Sequence, residues 1–133
     1  MIDLHTHTRF SDGSLTPTEV VELAAREGLS AVAITDHDSI DGVAEALAAG
    51  ERLGIEVVPG VELNLEHEQV TLDLLGYFFG RCPGEEMQTE LAELRRYRDE
   101  RNARILARLA ELDMPIDPDE LAVVHLETLR NTE

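Results

Sequence analysis

The sequence predicts an α/β fold in which parallel strands alternate with helices, followed by one long helix. Short apolar segments of strand length alternate with segments whose apolar residues recur at helical spacing, which is the pattern of a parallel sheet with crossover helices. The segment at residues 30–35 is short and mostly apolar, which is typical of a strand buried on both faces. A run containing glycine and proline at residues 80–84 then precedes an extended helical pattern.

Four strands are predicted, at residues 1–7, 30–35, 55–58 and 69–79. The first helix begins at a capping box in which Thr16 and Glu19 flank Pro17, because Thr and Glu at this spacing satisfy each other's backbone donors. It ends at Gly28, a residue type favoured just past a helix.

The second helix is predicted to begin at a cap supplied by Asp38 or Ser39 and to end near residue 53. A long helix follows at residues 85–112, where leucine, isoleucine and methionine recur at helical spacing. A proline-containing cap near Asp117 predicts a further short helix.

A length of 133 residues suits one domain or part of one. We predict a metal-binding βα core at residues 1–80 and a helical C-terminal segment at residues 81–133, which is truncated or continues into an absent half. The predicted strands are too few to close a barrel, so we expect another copy of the chain or that further half to cover the open edge.

The chain is strongly acidic, with a formal net charge of −17 and eleven basic residues, all of them arginine. This charge argues against broad binding of duplex nucleic acid, which needs a basic surface. A small phosphate ester remains compatible as a substrate, because bound divalent cations would reverse the local charge. With a single cysteine, Cys82, and no apolar run that could span a membrane, we expect a cytoplasmic protein without disulfides and without a membrane partner.

The residues that could carry chemistry lie at or near the ends of the predicted strands. They are His5 and His7 after the first strand, Asp12 in the next loop, Asp36 and His37 after the second strand, Glu62 after the third and Asp73 within the fourth. Side chains two residues apart on a strand share a face, so His5 and His7 project together. The carboxyl ends of parallel strands meet at one edge, where imidazoles and carboxylates can share a metal ion.

Other interpretations of these residues remain open at this point. Asp12 could form a turn before Gly13, which is free to adopt a positive φ. Asp36 could cap a helix as readily as orient a ligand or handle a proton. Asp73 could face water as readily as a cation.

Histidines and arginines elsewhere have simpler interpretations. We expect His67 and His125 at the surface. The arginines between residues 95 and 108 suit a solvated helix face, with Arg101 and Arg104 as the alternative contacts for a substrate phosphate.

Three segments carry a resemblance to a known family. D-L-H-T-H-T-R-F-S-D-G at residues 3–13, T-D-H-D at 35–38 and P-G-V-E at 59–62 resemble the PHP family, the polymerase and histidinol phosphatase domain. The D-L-L-G-Y segment at 73–77 is most similar to its branch of small phosphoesterases acting on nucleotides and short RNA. The resemblance implies part of a distorted (β/α)₇ barrel that holds up to three divalent metal ions.

The resemblance also implies roles for individual residues. His5 and His7 would bind one metal ion, Asp12 and His37 a second, and Glu62 would bridge them. Asp73 stands where the family has a histidine, so fewer than three ions are expected here. Asp36 and His37 are the predicted catalytic residues. The implied reaction is hydrolysis of a phosphate ester by water activated on manganese, zinc or iron.

The later motifs of the family, of Ala-His-Pro and Ser-Asp-x-His type, are absent from this sequence. Our leading hypothesis is a metal-dependent phosphoesterase acting on small phosphate esters, either a nucleotide, a sugar phosphate or a short oligonucleotide. The alternative is a metal-binding PHP fragment or degenerate module without catalytic activity, which acts by association. A third hypothesis is histidinol phosphatase activity or a role associated with a polymerase.

Overall fold

The computed structural model describes residues 1–67, 70–80 and 84–118, without the side chains of residues 66 and 67. The strands are β1 (Ile2–Thr6), β2 (Ala31–Ile34), β3 (Glu56–His67) and β4 (Val70–Tyr77), and the helices are α1 (Pro17–Arg26), α2 (Val43–Leu53) and α3 (Glu85–Glu111). The chain divides into two compact units, residues 1–92 and residues 93–133. Predictions on Cys82, His125 and most of the last short helix lie outside the described residues, as does that on the His67 side chain.

The first three strands form the parallel sheet that the sequence predicts. The strand order is β1-β2-β3-β4, and β2 pairs in parallel with both β1 and β3. Val32 of β2 lies between Asp3 of β1 and Val57 of β3 in this register. Helices α1 and α2 connect these strands, which confirms the predicted strand–helix rhythm.

The fourth strand pairs antiparallel with β3, whereas the first three strands are parallel to one another. Strand β3 is 12 residues long and ends at His67, well past the predicted end at residue 58. Its residues from Gly60 to His67 pair with β4. Only residues 68 and 69 separate the two strands in the sequence, whereas a parallel connection needs a dozen or more residues.

Two apolar clusters hold the first unit together. One joins α1, α2 and the sheet, and its buried members are Val20, Val21, Ala24, Val32, Ile34, Ala46, Ala49 and Ile55. The other contains Ile40, Val43, Val61 and Leu91, so the first turns of α3 pack against β3 and the start of α2. Together the clusters hold the strand ends of the sheet in a fixed geometry.

The sheet is open and curls like part of a barrel. The phenol of Tyr77, the last residue of β4, donates a hydrogen bond of 2.8 Å to the carbonyl oxygen of Leu4 in β1. Because β1 and β4 are the two edge strands, this bond requires the sheet to curve round. Within the described residues, no helix has the length and hydropathy needed to cross a membrane.

Helix α2 begins later than predicted, at Val43, with Gly42 as its N-cap and no side-chain cap. The proposed caps are therefore a correction: Asp38 adopts a φ of 48°, and its N–H donates to the carbonyl of Glu62 at 3.0 Å. Asp38 thus continues the pairing with β3, and the chain turns into the helix only after it.

Helix α1 begins at the predicted capping box. The Thr16 hydroxyl accepts from the Glu19 N–H at 3.1 Å, and the Glu19 carboxylate accepts from the Thr16 N–H at 2.7 Å. Hydrogen bonding from Thr16 to the Glu19 carboxylate, by its backbone first and its side chain second, holds the pKa of the Glu19 carboxyl below its usual range.

We expect Glu19→Gln to make folding stability less sensitive to acid. A carboxyl whose pKa is lower in the folded than in the unfolded chain stabilises the fold above its unfolded pKa, and this stabilisation is lost as pH falls through the folded pKa. Below the ordinary pKa of a glutamate carboxyl, about 4.3, the wild-type free energy of unfolding should therefore fall more steeply than that of the variant. Urea unfolding at a series of acidic pH values measures this slope. Glu22→Gln makes the same charge change on α1, and equal slopes for both variants would contradict the prediction.

Candidate metal centre

One carboxylate oxygen lies among three imidazole rings. Oε2 of Glu62 is 3.1 Å from Nε2 of His5 and 3.0 Å from Nε2 of His7. The same oxygen is 3.5 Å from Nδ1 of His37. The Glu62 side chain is only 4% exposed, and a buried carboxylate is costly unless cations or hydrogen-bond donors surround it.

Asp12 adds a second carboxylate beside the same rings. Its Oδ1 is 3.1 Å from Nδ1 of His7, and its Oδ2 is 3.7 Å from Nε2 of His37. In the described part of the chain, two groups of residues could each hold a metal ion: His5, His7 and Glu62, and His7, Asp12 and His37. The ligand atoms of each group lie within 4.8 Å of one another. The structure thus brings together five of the six predicted ligands.

Backbone pairing explains this convergence. His5 and His7 are two residues apart at the end of β1, so they share a face, and their ring centroids are 5.1 Å apart. Beyond the end of β2, the pairing with β3 continues, because the Glu62 N–H donates to the carbonyl of Asp36 at 3.1 Å. His37 and Glu62 therefore lie opposite each other as an isolated parallel bridge.

Asp36 connects this edge of the sheet to the loop that carries Asp12. Its Oδ1 accepts from the Thr8 N–H at 2.7 Å and from the Ser11 hydroxyl at 2.6 Å. Its Oδ2 accepts from the Thr8 hydroxyl at 2.7 Å. Asp36 and Thr8 are buried, so these charge-assisted bonds lie away from solvent.

The structure therefore gives Asp36 a positioning role rather than that of a helix cap, and its predicted part in catalysis stays a prediction. Sequence reasoning missed Thr8 and Ser11, to which it assigned no role. The available signal was two hydroxyl residues in the loop that leads to Asp12, since hydroxyls are the side chains that satisfy a nearby buried carboxylate.

Gly13 packs directly against the backbone that follows β1. A Cβ atom at Gly13 would lie 2.5 Å from the carbonyl oxygen of His7 and 2.8 Å from the nitrogen of Thr8. The expected positive φ is not the reason for this glycine, because the glycines with positive φ in the described chain are Gly28, Gly54 and Gly80. Close backbone approach is the reason instead.

We expect Gly13→Ala to displace this loop and to weaken metal binding about tenfold. This is the lower end of the loss expected when residues that support the metal ligands are changed. The overpacking should also cost about 1–3 kcal/mol of stability. Metal titration and urea unfolding measure the two effects. Gly84→Ala is the matched control, because a Cβ there meets nothing within 4 Å. Equal metal affinity for the two variants would contradict the prediction.

Asp73 is the predicted ligand that the structure does not bring to the others. It lies opposite Asn64 in the β3–β4 ladder, and its Oδ1 accepts from the Asn64 side-chain amide at 2.6 Å. In this antiparallel register Leu75, not Asp73, is paired with Glu62. The predicted ligation by Asp73 therefore has no support from its position, which belongs to an exposed cross-strand pair.

A family model for the PHP domain matches residues 3–121 of the chain. The chain belongs to the PHP domain family. The matched range contains all five residues that converge on the candidate metal centre, and it confirms the resemblance carried by the three sequence segments.

Among curated proteins, this PHP domain is similar to a nucleoside bisphosphate phosphatase and to an exoribonuclease. A 3′,5′-nucleoside bisphosphate phosphatase of Chromobacterium violaceum is 48% identical over 75 residues, which are 56% of this chain and 26% of that protein. A 5′-3′ exoribonuclease of Haemophilus influenzae is 40% identical over 79 residues, which are 59% of this chain and 29% of that protein. The matches thus cover less than a third of the length of either relative.

Two crystal structures share the fold. One is a candidate metal-dependent phosphoesterase from Bifidobacterium adolescentis, with a TM-score of 0.78 and 35% identity over 94% of this chain and 43% of that one. The other is an amidohydrolase from Chromobacterium violaceum with bound sulfate and no metal, with a TM-score of 0.75 and 34% identity over 96% of this chain and 48% of that one. This PHP chain therefore spans less than half the length of either protein.

The donor atoms of this PHP domain fit divalent metal ions. Nδ1 of His37 is buried and has no hydrogen-bond partner, although Oε2 of Glu62 is 3.5 Å away. Such a nitrogen is costly unless its lone pair is used, and a cation would use it. His7 faces Glu62 with Nε2 and Asp12 with Nδ1, so a neutral ring can ligate one ion and donate its N–H to the other carboxylate. Mixed imidazole and carboxylate donors suit borderline divalent metals.

Proposed function

We propose that this chain carries the N-terminal part of the metal centre of a phosphoesterase that hydrolyses phosphate esters of nucleotides or short oligonucleotides. The observation that carries the proposal is the convergence of three imidazoles on one buried carboxylate oxygen, with Asp12 beside them. The names of two of its curated relatives, a nucleoside bisphosphate phosphatase and an exoribonuclease, motivate the choice of nucleotide and RNA substrates.

The residues have distinct parts in this proposal. His5 and His7 would hold one cation, Asp12 and His37 a second, and Glu62 would lie between them. Manganese, zinc and iron all suit these donors. Divalent cations supply Lewis acidity, which acidifies water and neutralises the oxygens of a phosphate ester. Asp36 holds the loop of Asp12 in register with His37 through its bonds to the loop.

The negative charge of the chain should make substrate binding depend on bound metal. A net charge of −17 repels a phosphate ester, and two of the carboxylates that contribute to this charge, Glu62 and Asp12, lie in the described site itself. Substrate binding should therefore depend on loaded cations, which reverse the local sign of the charge.

The test measures ions per chain and phosphate ester hydrolysis on the purified chain, first stripped of metal and then loaded with manganese, zinc or iron. We expect bound metal and metal-dependent hydrolysis of adenosine 3′,5′-bisphosphate, both lost in the His5→Ala/His7→Ala double variant. His125→Ala, the predicted surface histidine, is the control. Hydrolysis that survives in the double variant would refute the proposal.

The second candidate function is that of a metal-binding module without turnover, which acts by association with a second copy or with another polypeptide. The observation that favours it is the absence from this sequence of the Ala-His-Pro and Ser-Asp-x-His type motifs, which would supply further ligands. Bound metal without hydrolysis would support this module. Hydrolysis regained on adding a polypeptide with the remaining ligands would instead support a divided enzyme.

A further inference from the structure

Three of the five aromatic residues of the chain are consecutive, at Tyr77, Phe78 and Phe79. Phe78 packs against the cluster that contains Val61 and Leu91. Its N–H donates a hydrogen bond of 2.8 Å to the carbonyl oxygen of Pro59. Phe78 is therefore anchored in the core, and its two neighbours are not members of that cluster. The rings of Tyr77 and Phe79 contact each other with centroids 6.0 Å apart, and Phe79 is 70% exposed.

Tyr77 lies close to the strand ends that carry the metal centre. In the β3–β4 ladder, Tyr77 is opposite Gly60 and Leu75 is opposite Glu62, so Tyr77 and Glu62 are on the same face of the sheet. The Tyr77 hydroxyl donates to the carbonyl of Leu4, the residue before His5. Tyr77 is therefore held next to the strand end that carries the two-histidine pair.

We propose that Tyr77 and Phe79 form a platform on which the base of a nucleotide stacks while its phosphate ester lies at the metal centre. This inference rests on the proposed function and deepens it, since it assigns the site to phosphates that carry a nucleobase. The hydrogen bond to Leu4 fixes the Tyr77 ring in advance, which lowers the entropy cost of binding.

A stacking platform suits the charge of this protein. The acidic chain cannot draw in a nucleotide by long-range attraction, and its affinity for phosphate depends on bound cations. Stacking on an aromatic ring is independent of phosphate charge and is available to every base. It would also cover the exposed Phe79 ring with an aromatic surface.

The test compares two non-hydrolysable phosphonate analogues, one of adenosine 5′-phosphate and one of ribose 5-phosphate, on the full chain loaded with manganese. The analogues carry the same anionic group and differ by the base. By equilibrium dialysis we expect the adenosine analogue to bind about 5- to 150-fold more tightly, the range expected for one stacked base.

The substitutions at Phe79 separate stacking from apolar contact. Phe79→Leu keeps apolar bulk without a ring and should lose most of the preference for the adenosine analogue, whereas Phe79→Tyr should keep it. Tyr97→Ala removes an exposed aromatic ring of α3 and is the control, for which the preference should be unchanged.

The outcomes distinguish this inference from the proposed function. Equal binding of the two analogues by the wild type, or an unchanged preference in Phe79→Leu, overturns the platform while metal-dependent hydrolysis still supports the phosphoesterase. Failure of both analogues to bind, together with no metal-dependent hydrolysis, overturns both.

Discussion

Glu62→Gln is expected to abolish tight metal binding while leaving the fold intact. The substitution keeps the shape of the side chain and removes the charge that three imidazole nitrogens approach within 3.5 Å. Changing a residue that hydrogen-bonds to a metal ligand lowers metal affinity about 10- to 100-fold. Removing the charge of the shared carboxylate itself should therefore lower metal affinity by more than about 100-fold. The amide can still bond to the imidazoles, and the metal-free chain should therefore remain folded.

Two measurements check this result. Metal titration gives the affinity and the number of ions per chain. Unfolding with and without manganese gives the stabilisation by metal, which is about 2.7 kcal/mol at a concentration 100 times the dissociation constant. The wild type should gain this amount, and the variant should gain almost none at the same concentration.

Glu22→Gln provides the matched control, because Glu22 is an exposed carboxylate on α1 and the substitution makes the same change in net charge. Wild-type metal affinity in Glu22→Gln together with weak binding in Glu62→Gln supports the site. Wild-type affinity in Glu62→Gln would show that this carboxylate does not hold the metal.

Asp36→Ala is expected to give the largest loss of stability among single substitutions near the site. It removes the acceptor of three donors of the loop, the Thr8 N–H, the Thr8 hydroxyl and the Ser11 hydroxyl, and of these the Ser11 hydroxyl still has Asp12 Oδ1 at 3.3 Å. Hydrogen bonds to a charged group contribute about 1.5–3 kcal/mol each, and buried donors left unpaired add a penalty. Since the three bonds share one acceptor and are not additive, we expect a total loss of about 3–5 kcal/mol.

Ser11→Ala is the graded comparison, because it removes one of the three bonds at Asp36 from a half-buried hydroxyl and should cost about 1.5 kcal/mol. Urea unfolding of both variants measures the difference in stability. Metal titration should show weaker binding in Asp36→Ala, because the loop that presents Asp12 is no longer attached to the segment of His37. A loss in Asp36→Ala no greater than in Ser11→Ala would contradict the positioning role.

Local patterns were sufficient to predict the elements that build the core. The capping box at Thr16 and Glu19 acts within one turn of helix, so its residues alone determine where α1 begins. Strand β2 has the composition of a strand with neighbours on both sides, and it lies between β1 and β3. The strand–helix spacing was likewise enough to predict the parallel pairing of the first three strands.

Predictions failed where the outcome depends on distant contacts. The prediction that α2 is capped at Asp38 or Ser39 was wrong because the Asp38 N–H bonds to the backbone of Glu62, 24 positions later in the chain. The explanation for Gly13 was wrong because the loop packs against the backbone of His7, which no local propensity reveals. The predicted end of the third strand at residue 58 was wrong because β3 continues past Pro59 and Gly60 to pair with β4.

The sequence by itself determined the chemistry available to this protein: histidines and carboxylates at strand ends, in segments that identify a PHP domain, on a strongly acidic chain. Only the tertiary structure decided which of them meet. It placed His5, His7, His37 and Asp12 around Glu62, gave Asp36 to the loop and left Asp73 with Asn64. The physical reason is that residue types and local spacing set what a side chain can bind, whereas strand register and loop packing set how far apart two side chains lie.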